Sequence, residues 1–236
     1  MKKSSLWLVP ACFFVVASIL MCIGKICSDS LSYTVKPSLL PLLALTCMAY
    51  LAGKGEFDGR TAGLLLCAQL FGFAGDTFLL GSGFAMFASG MGAFLVGHIF
   101  YICLFGGRTW KGFGWKQWVP SLVAIGALLA VLIHLVGVHG ALLVPMIVYG
   151  MALLLLIFST LAGVFRIGGK TWWILLSGAV LFTASDLMIA MEQFDTLNFG
   201  LRPFVIIFTY LVAQALLATG AVRLALQKTN PKITEK

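Results

Sequence analysis

The sequence predicts an all-α integral membrane protein, a bundle of about eight transmembrane helices, and three observations carry that reading. Hydrophobic residues make up 61% of the 236 and charged residues only 10%, against about 25% charged in a soluble domain. The apolar residues collect into eight segments of near membrane-spanning length, which is roughly 20 residues. The basic residues lie between those segments and favour alternate gaps. The 26 glycines suit close helix packing in lipid. The 19 Phe and six Trp suit lipid-facing and interfacial surface. Such a composition excludes soluble enzymes and nucleic-acid-binding modules.

The first span, about 6–24, follows MKKSS and so resembles the start of a signal peptide. It is long enough to cross, and no clean A-x-A site follows it, so it is expected to be a retained helix. The second span, about 36–53, opens at Lys36 and Pro37. The third, about 61–80, follows Arg60 and carries Asp76 in FGFAGDTFLL. The fourth, about 84–105, is separated from it only by GSG. The fifth and sixth, about 118–136 and 141–165, are separated only by GVHG. The seventh, about 171–191, follows Lys170 and carries Asp186 in LFTASDLMIA. The eighth, about 203–225, follows Arg202, and a basic tail occupies 226–236.

Charge orients the bundle. With the N-terminus in the cytoplasm, that side holds Lys2, Lys3, Lys54, Arg60, Arg108, Lys111, Lys116, Arg166, Lys170, Arg223, Lys228, Lys232 and Lys236. The other side holds only Lys25, Lys36 and Arg202. Thirteen against three follows the positive-inside rule and predicts both termini in the cytoplasm. The membrane would be the inner or plasma membrane of a bacterium or an ER-type membrane of a eukaryote. The same asymmetry explains the net charge of +8 without a nucleic-acid partner.

The two intramembrane acids are the main candidates for function. Asp76 lies 16 residues after Arg60, and Asp186 lies 16 after Lys170. At 1.5 Å per residue both sit about 24 Å from the inner boundary of a core about 30 Å thick. An acid at that depth needs a partner or a wet cavity. Pro37 precedes Asp76 by 39 residues and Pro145 precedes Asp186 by 41. The spans therefore pair as two parallel four-helix repeats, 1–4 with 5–8, which would bring the acids together at the repeat interface. A packing role, with each acid hydrogen-bonded to a neighbouring helix, is the simpler alternative.

Other polar groups phase onto nearby faces. Gln69 is seven residues before Asp76, and Thr183 is three before Asp186. His98 and Tyr101 are three apart, and Tyr210 and Gln214 are four apart. His98 and Gln214 are expected deeper than the acids. Lys36 and Arg202 lie on the outer side, where either could meet an anionic headgroup or simply snorkel to the interface. The six cysteines form no CxxC and read as small hydrophobes. His134 and His139 lie near the outer side with the acids, but no metal-ligand spacing supports a metal site, and no residue set demands a cofactor. There is no G-x-S-x-G for a serine nucleophile.

The stretches GDTFLL, FLVGHIFYICLF, GAVLFTASDLMIA and TYLVAQALLATG, with VKPSLLPLLAL and VPMIVYGMAL, resemble the lysoplasmalogenase (YhhN-like) family from about residue 35 to 222. The resemblance implies a multi-pass hydrolase that cleaves the vinyl ether of lysoplasmalogens. The products would be a fatty aldehyde and a glycerophosphoethanolamine or glycerophosphocholine. It carries Lys36, Asp76, His98, Asp186, Tyr210 and Gln214 over as the polar positions of the site. Asp76 and Asp186 are the expected catalytic pair, and Lys36, His98, Tyr210, Gln214 and Arg202 the expected substrate-binding residues. The partners are a lysophospholipid substrate and membrane lipid.

The chemistry suits two acids. Vinyl ether hydrolysis begins with protonation of an alkene carbon, which needs a positioned acid. The oxocarbenium ion that results is stabilised by a carboxylate, as in glycosidases. Low dielectric disfavours the charged form of a carboxyl group, so one member of a coupled pair could hold the proton. The competing class is a small proton-coupled transporter, because intramembrane acids and parallel repeats occur there too.

Overall fold

The computed structural model describes residues 5–27, 29–196 and 198–227. Among these there are eight α-helices and no strand: α1 (Leu8–Cys27), α2 (Asp29–Lys54), α3 (Gly59–Phe78), α4 (Phe84–Thr109), α5 (Trp115–Val136), α6 (Leu143–Arg166), α7 (Lys170–Gln193) and α8 (Arg202–Gln227). All eight are long and apolar enough to cross a membrane. The expected basic tail lies, from residue 228 onward, outside the described residues.

Seven of the eight helices begin and end within a few residues of the predicted spans. The exception is the start of α2, expected at Lys36 and found at Asp29. Residues 29–36, DSLSYTVK, are too polar to register as membrane-spanning, yet the helix continues through them. Ser32 is buried there. A Cβ at Gly24 would lie 2.7 Å from the Ser32 hydroxyl, so α1 approaches closely only because that position has none. Lys36 thus sits two turns inside α2 instead of at its mouth. Pro37 and Pro41 fall within the same helix. Each removes one backbone donor, which membrane helices tolerate when neighbours re-satisfy the freed carbonyls.

Each helix packs against the next within α1–α4 and within α5–α8, although the α4–α5 connection does not continue that series. Between the halves, α4 packs on α6 and α8 packs on α2. Exchanging the halves converts one of these contacts into the other, which is the pattern a two-fold axis along the bundle produces. α3 also packs on α8, and α1 on α8. The shared core runs through Leu39, Leu51, Leu65, Leu104, Leu156 and Leu217, all buried. Trp172 is the largest fully buried side chain. It occupies space opened by Gly163, where a Cβ would come within 2.0 Å of the indole. Van der Waals contact of this kind matters more than water exclusion when the surroundings are lipid.

At the end of the bundle that carries the termini, Arg108 lies 3.2 Å from Asp58, which also accepts the Thr61 hydroxyl at 2.7 Å. The Asp58 backbone N–H donates to the Ala225 carbonyl at 2.9 Å, tying the α2–α3 connection to α8. Trp110, Phe113, Trp118 and Phe158 form an aromatic cluster across the α4–α5 connection. Arg166 stacks on Phe113 with 4.6 Å to the ring centre and donates to the Thr109 carbonyl. Of the cysteines, Cys47 is buried, and Cys12, Cys27 and Cys103 are exposed on the bundle's outer surface, where an apolar thiol is at home in lipid.

Candidate active site

Asp76 and Asp186 stand at matching heights, 17 residues after the start of α3 and 16 after the start of α7. Both are buried, at 3% and 8% exposure. Side chains on a helix lean toward its N-terminus. On α3 and α7 this tilts the acids toward the middle of the bundle. On α2, α4, α6 and α8, which run the other way, the same rule tilts long side chains toward the acids. Residues that sequence position sets deeper than the acids are thereby brought level with them.

Asp76 accepts a 2.6 Å hydrogen bond from the Tyr210 hydroxyl on its Oδ2. Its Oδ1 lies 3.3 Å from Lys36 Nζ. Gln214 Nε2 donates to the Tyr210 oxygen at 3.4 Å, and the Tyr101 hydroxyl donates to Gln214 Oε1 at 3.1 Å. The Gln214 amide turns its oxygen to Tyr101 and its N–H to Tyr210. With the amide N–H pointing at its oxygen, Tyr210 is left to act as donor toward Asp76. Four of the expected residues, Lys36, Asp76, Tyr210 and Gln214, therefore form one continuous chain.

Asp186 accepts a 2.5 Å hydrogen bond from the Tyr149 hydroxyl on its Oδ2. His98 Nε2 approaches the same oxygen at 4.0 Å, too long for a hydrogen bond, and has no hydrogen-bond partner. The imidazole stands edge-on to Tyr149 and Phe182, with ring centres 5.4 and 4.7 Å away. Phe182 in turn stands edge-on to Tyr210 at 5.5 Å, and Phe94 does so at 6.1 Å. Phe182 thus touches both Tyr210, the partner of Asp76, and His98, the neighbour of Asp186. Gly75, next to Asp76, admits Phe94: a Cβ there would lie 2.7 Å from the ring. Ser185, next to Asp186, donates at 3.0 Å to the Ile206 carbonyl on α8. The small residue before each acid thus sets a helix contact.

The two acids have parallel surroundings. Each takes one partner from the second helix of its own half, Lys36 on α2 for Asp76 and Tyr149 on α6 for Asp186. Each faces one group from the fourth helix of the other half, Tyr210 on α8 and His98 on α4. The partners differ in chemistry. Asp76 has an ammonium and a phenol; Asp186 has a phenol and an unpartnered imidazole nitrogen.

Tyr149 is the residue beside the acids that the sequence reading missed. It lies within VPMIVYGMAL and plays toward Asp186 the part that Lys36 plays toward Asp76, but not at the repeat-related position: Lys36 directly precedes Pro37, whereas Tyr149 follows Pro145 by four residues. Arg202 stands apart from the acids and bonds Glu192 at 2.8 Å across the α7–α8 connection. Gln69 is buried below Asp76 and reaches only the Cys47 sulfur, at 3.9 Å. Thr183 bonds back to the Ala179 carbonyl. His139 is engaged locally, with Nδ1 2.7 Å from the Gly137 carbonyl. No cluster of three or more metal-ligating side chains occurs among the described residues.

Asp186, but not Asp76, opens onto a cavity of about 80 Å³. Its walls come from α4 (Phe87, Met91, Phe94), α5 (Leu129, Leu132, Ile133, Val136), α6 (Met146, Leu153, Leu154) and α7. Asp186, Tyr149 and Thr183 are the polar side chains in an otherwise apolar lining. A carboxyl backed by a phenol, at the edge of a space shaped for hydrocarbon, can exchange a proton with the uncharged part of a lipid.

A profile of the YhhN family matches residues 31–221. The chain is 29% identical over 234 residues to the human protein named lysoplasmalogenase TMEM86B, covering 95% of this chain and 90% of that one. To the mouse protein of the same name it is 29% identical over 186 residues, covering 78% and 73%. No solved structure matches the chain.

Proposed function

This chain belongs to the YhhN family, and on that premise we propose that it is a membrane-embedded hydrolase cleaving the vinyl ether of lysoplasmalogens. The products are a fatty aldehyde and glycerophosphoethanolamine or glycerophosphocholine. The activity named for the relatives supports a membrane hydrolase. The observation that carries the finer reading is the opening of Asp186 onto an apolar cavity with Tyr149 behind it. A vinyl ether is an uncharged group at the head of a hydrocarbon chain, and this arrangement offers an acid to such a group.

In this reading Asp186 enters the cycle protonated. The Tyr149 bond occupies Oδ2, leaving Oδ1 to carry the proton. Transfer of that proton to the alkene carbon forms a C–H bond and leaves the positive charge on the adjoining C–O unit. The Asp186 carboxylate so created stabilises the oxocarbenium ion and then takes a proton from the water that adds to it. The hemiacetal collapses to aldehyde and alcohol, and the acid is restored. Asp76 does not line the cavity. It acts through its charge, held by Lys36 and Tyr210. In this reading Arg202, now paired with Glu192 at the α7–α8 connection, meets the headgroup phosphate. Both termini face the cytoplasm, so the headgroup lies at the outer surface.

The test is aldehyde release from an alkenyl lysolipid by purified protein in detergent, with no gradient across any membrane. Release is expected, in proportion to protein and at about 1% of that rate or less for Asp186→Asn. A proton-coupled carrier would release nothing, and that result would reject the hydrolase reading.

A further inference from the structure

The two halves of the bundle are not fully equivalent: α3 packs on α8 more extensively than α7 does on α4, and a second contact differs as well. Exchanging the halves turns α8 against α1 into α4 against α5. α1 does pack on α8. α5 instead packs on α6 and, less extensively, on α7, and it faces α4 across the cavity that reaches Asp186. At the end of the bundle carrying the termini the slot is shut by the cluster of Trp110, Phe113, Trp118 and Phe158. From there α4 and α5 stand apart. The cavity runs from Leu129 to Val136 on α5 and from Phe94 to Phe87 on α4, seven residues on each helix, or about 10 Å. Phe87, Met91, Leu132 and Ile133 line it but are half-buried, so the slot is open toward the lipid along the α4–α5 side.

We infer that the α4–α5 slot is a lateral binding site for a single hydrocarbon chain, through which the substrate lipid enters from the bilayer without leaving it. This rests on the hydrolase reading for the identity of the lipid, but the occupant follows from the walls. The slot is apolar along its length, is open where lipid tails would surround the protein, and at about 80 Å³ admits a few methylenes of a single chain. Its polar groups, Asp186, Tyr149 and Thr183, come from α6 and α7, on the side away from the opening. A chain lying in the slot would bring the bond next to its headgroup against Asp186. The remainder of the chain stays in the membrane, since nothing in the slot encloses it. Asymmetry at this position is what makes the site: the corresponding place on the other side is filled by α1.

The experiment uses a 1-O-alkyl lysophospholipid, which has no vinyl group to hydrolyse, carrying a photoreactive diazirine in its chain. Purified full-length protein in nanodiscs is irradiated and the labelled peptides are identified. Labels are expected on α4 and α5 around Met91 and Leu132. Leu129→Trp, which fills the inner part of the slot, is expected to remove at least nine-tenths of that labelling. Val131→Trp, on the exposed face of the same helix, is expected to leave it intact and guards against a mere folding defect. Slot labelling together with aldehyde release from the alkenyl lipid supports both the slot and the chemistry. Slot labelling without aldehyde release upholds the slot and rejects the chemistry. Labels concentrated on α1 and α8, or labelling and hydrolysis unaffected by Leu129→Trp, would overturn the slot even if hydrolysis is observed.

Discussion

Replacing Asp186 by Asn separates proton donation from every other role this residue has. The amide matches the carboxyl in size, and its oxygen can still accept the Tyr149 hydrogen bond, now 2.5 Å long. The fold should therefore survive with little change in thermal midpoint. What disappears is the transferable proton, and losing a general acid costs about 10²–10⁴ in rate, or roughly 3–5 kcal/mol of barrier. Asp76→Asn makes the contrast. It leaves Lys36 Nζ, now 3.3 Å from the carboxylate and on a side chain only 14% exposed, without its counter-ion. Breaking a buried pair from one side costs about 3–5 kcal/mol of stability, and the residual exposure of Lys36 puts this case near the lower figure. Adding Lys36→Met should restore much of that stability by removing the stranded charge. The assay is aldehyde release per folded, monodisperse molecule, with thermal midpoints for all variants. The double variant Asp76→Asn/Asp186→Asn should be little slower than Asp186→Asn, because Asp76 acts only on charge that Asp186 generates. An Asp186→Asn protein that folds normally and works within tenfold of the parent would refute the assignment and leave the acid as a packing residue.

Three further outcomes follow from the same geometry. Tyr149→Phe removes one hydrogen bond to a carboxyl group and should lower kcat about 10- to 100-fold, in line with the 1.5–3 kcal/mol of a charge-assisted bond, with the KM for the alkenyl lipid nearly unchanged. Arg202→Gln should raise that KM more than it lowers kcat if the guanidinium meets the phosphate; a pure kcat loss would place it in folding or chemistry. Reporter fusions after Lys236 and within the 110–114 connection should both read cytoplasmic, and opposite readings would break the proposed topology.

Much of the fold was legible because membrane spans are written in composition and length, and turns as short as GSG and GVHG fix their neighbours. The start of α2 escaped because DSLSYTVK has the polarity of a loop, and only packing of Ser32 against Gly24 reveals the helix there. Both acids were legible because an ionisable residue in an apolar run has little ordinary reason to be there. Their partners were legible in part. Lys36, His98, Tyr210 and Gln214 stand out as polar groups in apolar spans. Tyr149 does not, since a tyrosine near a span end is ordinary interfacial chemistry. Which acid meets the cavity could not be read at all: it depends on how α5 leans, and α5 carries no polar signal beyond its ends.

The crossed pattern of partners also bears on how such a chain can be made. Helices enter the membrane in order of synthesis, and a lone carboxyl in hydrocarbon is costly until something answers it. Asp76 waits for Tyr210 through 134 further residues, roughly 7–27 s at ordinary translation rates. Its other partner, Lys36, is already present in α2 when α3 emerges. The same is true of Asp186, whose Tyr149 on α6 precedes it. Each acid is thus accompanied across the bilayer by a group from its own half, made shortly before it, while the group from the other half is joined only when the halves close. For Asp76 that closure comes last of all, with α8. Truncation ahead of α8 should therefore yield a chain that inserts stably but leaves Asp76 held by Lys36 alone.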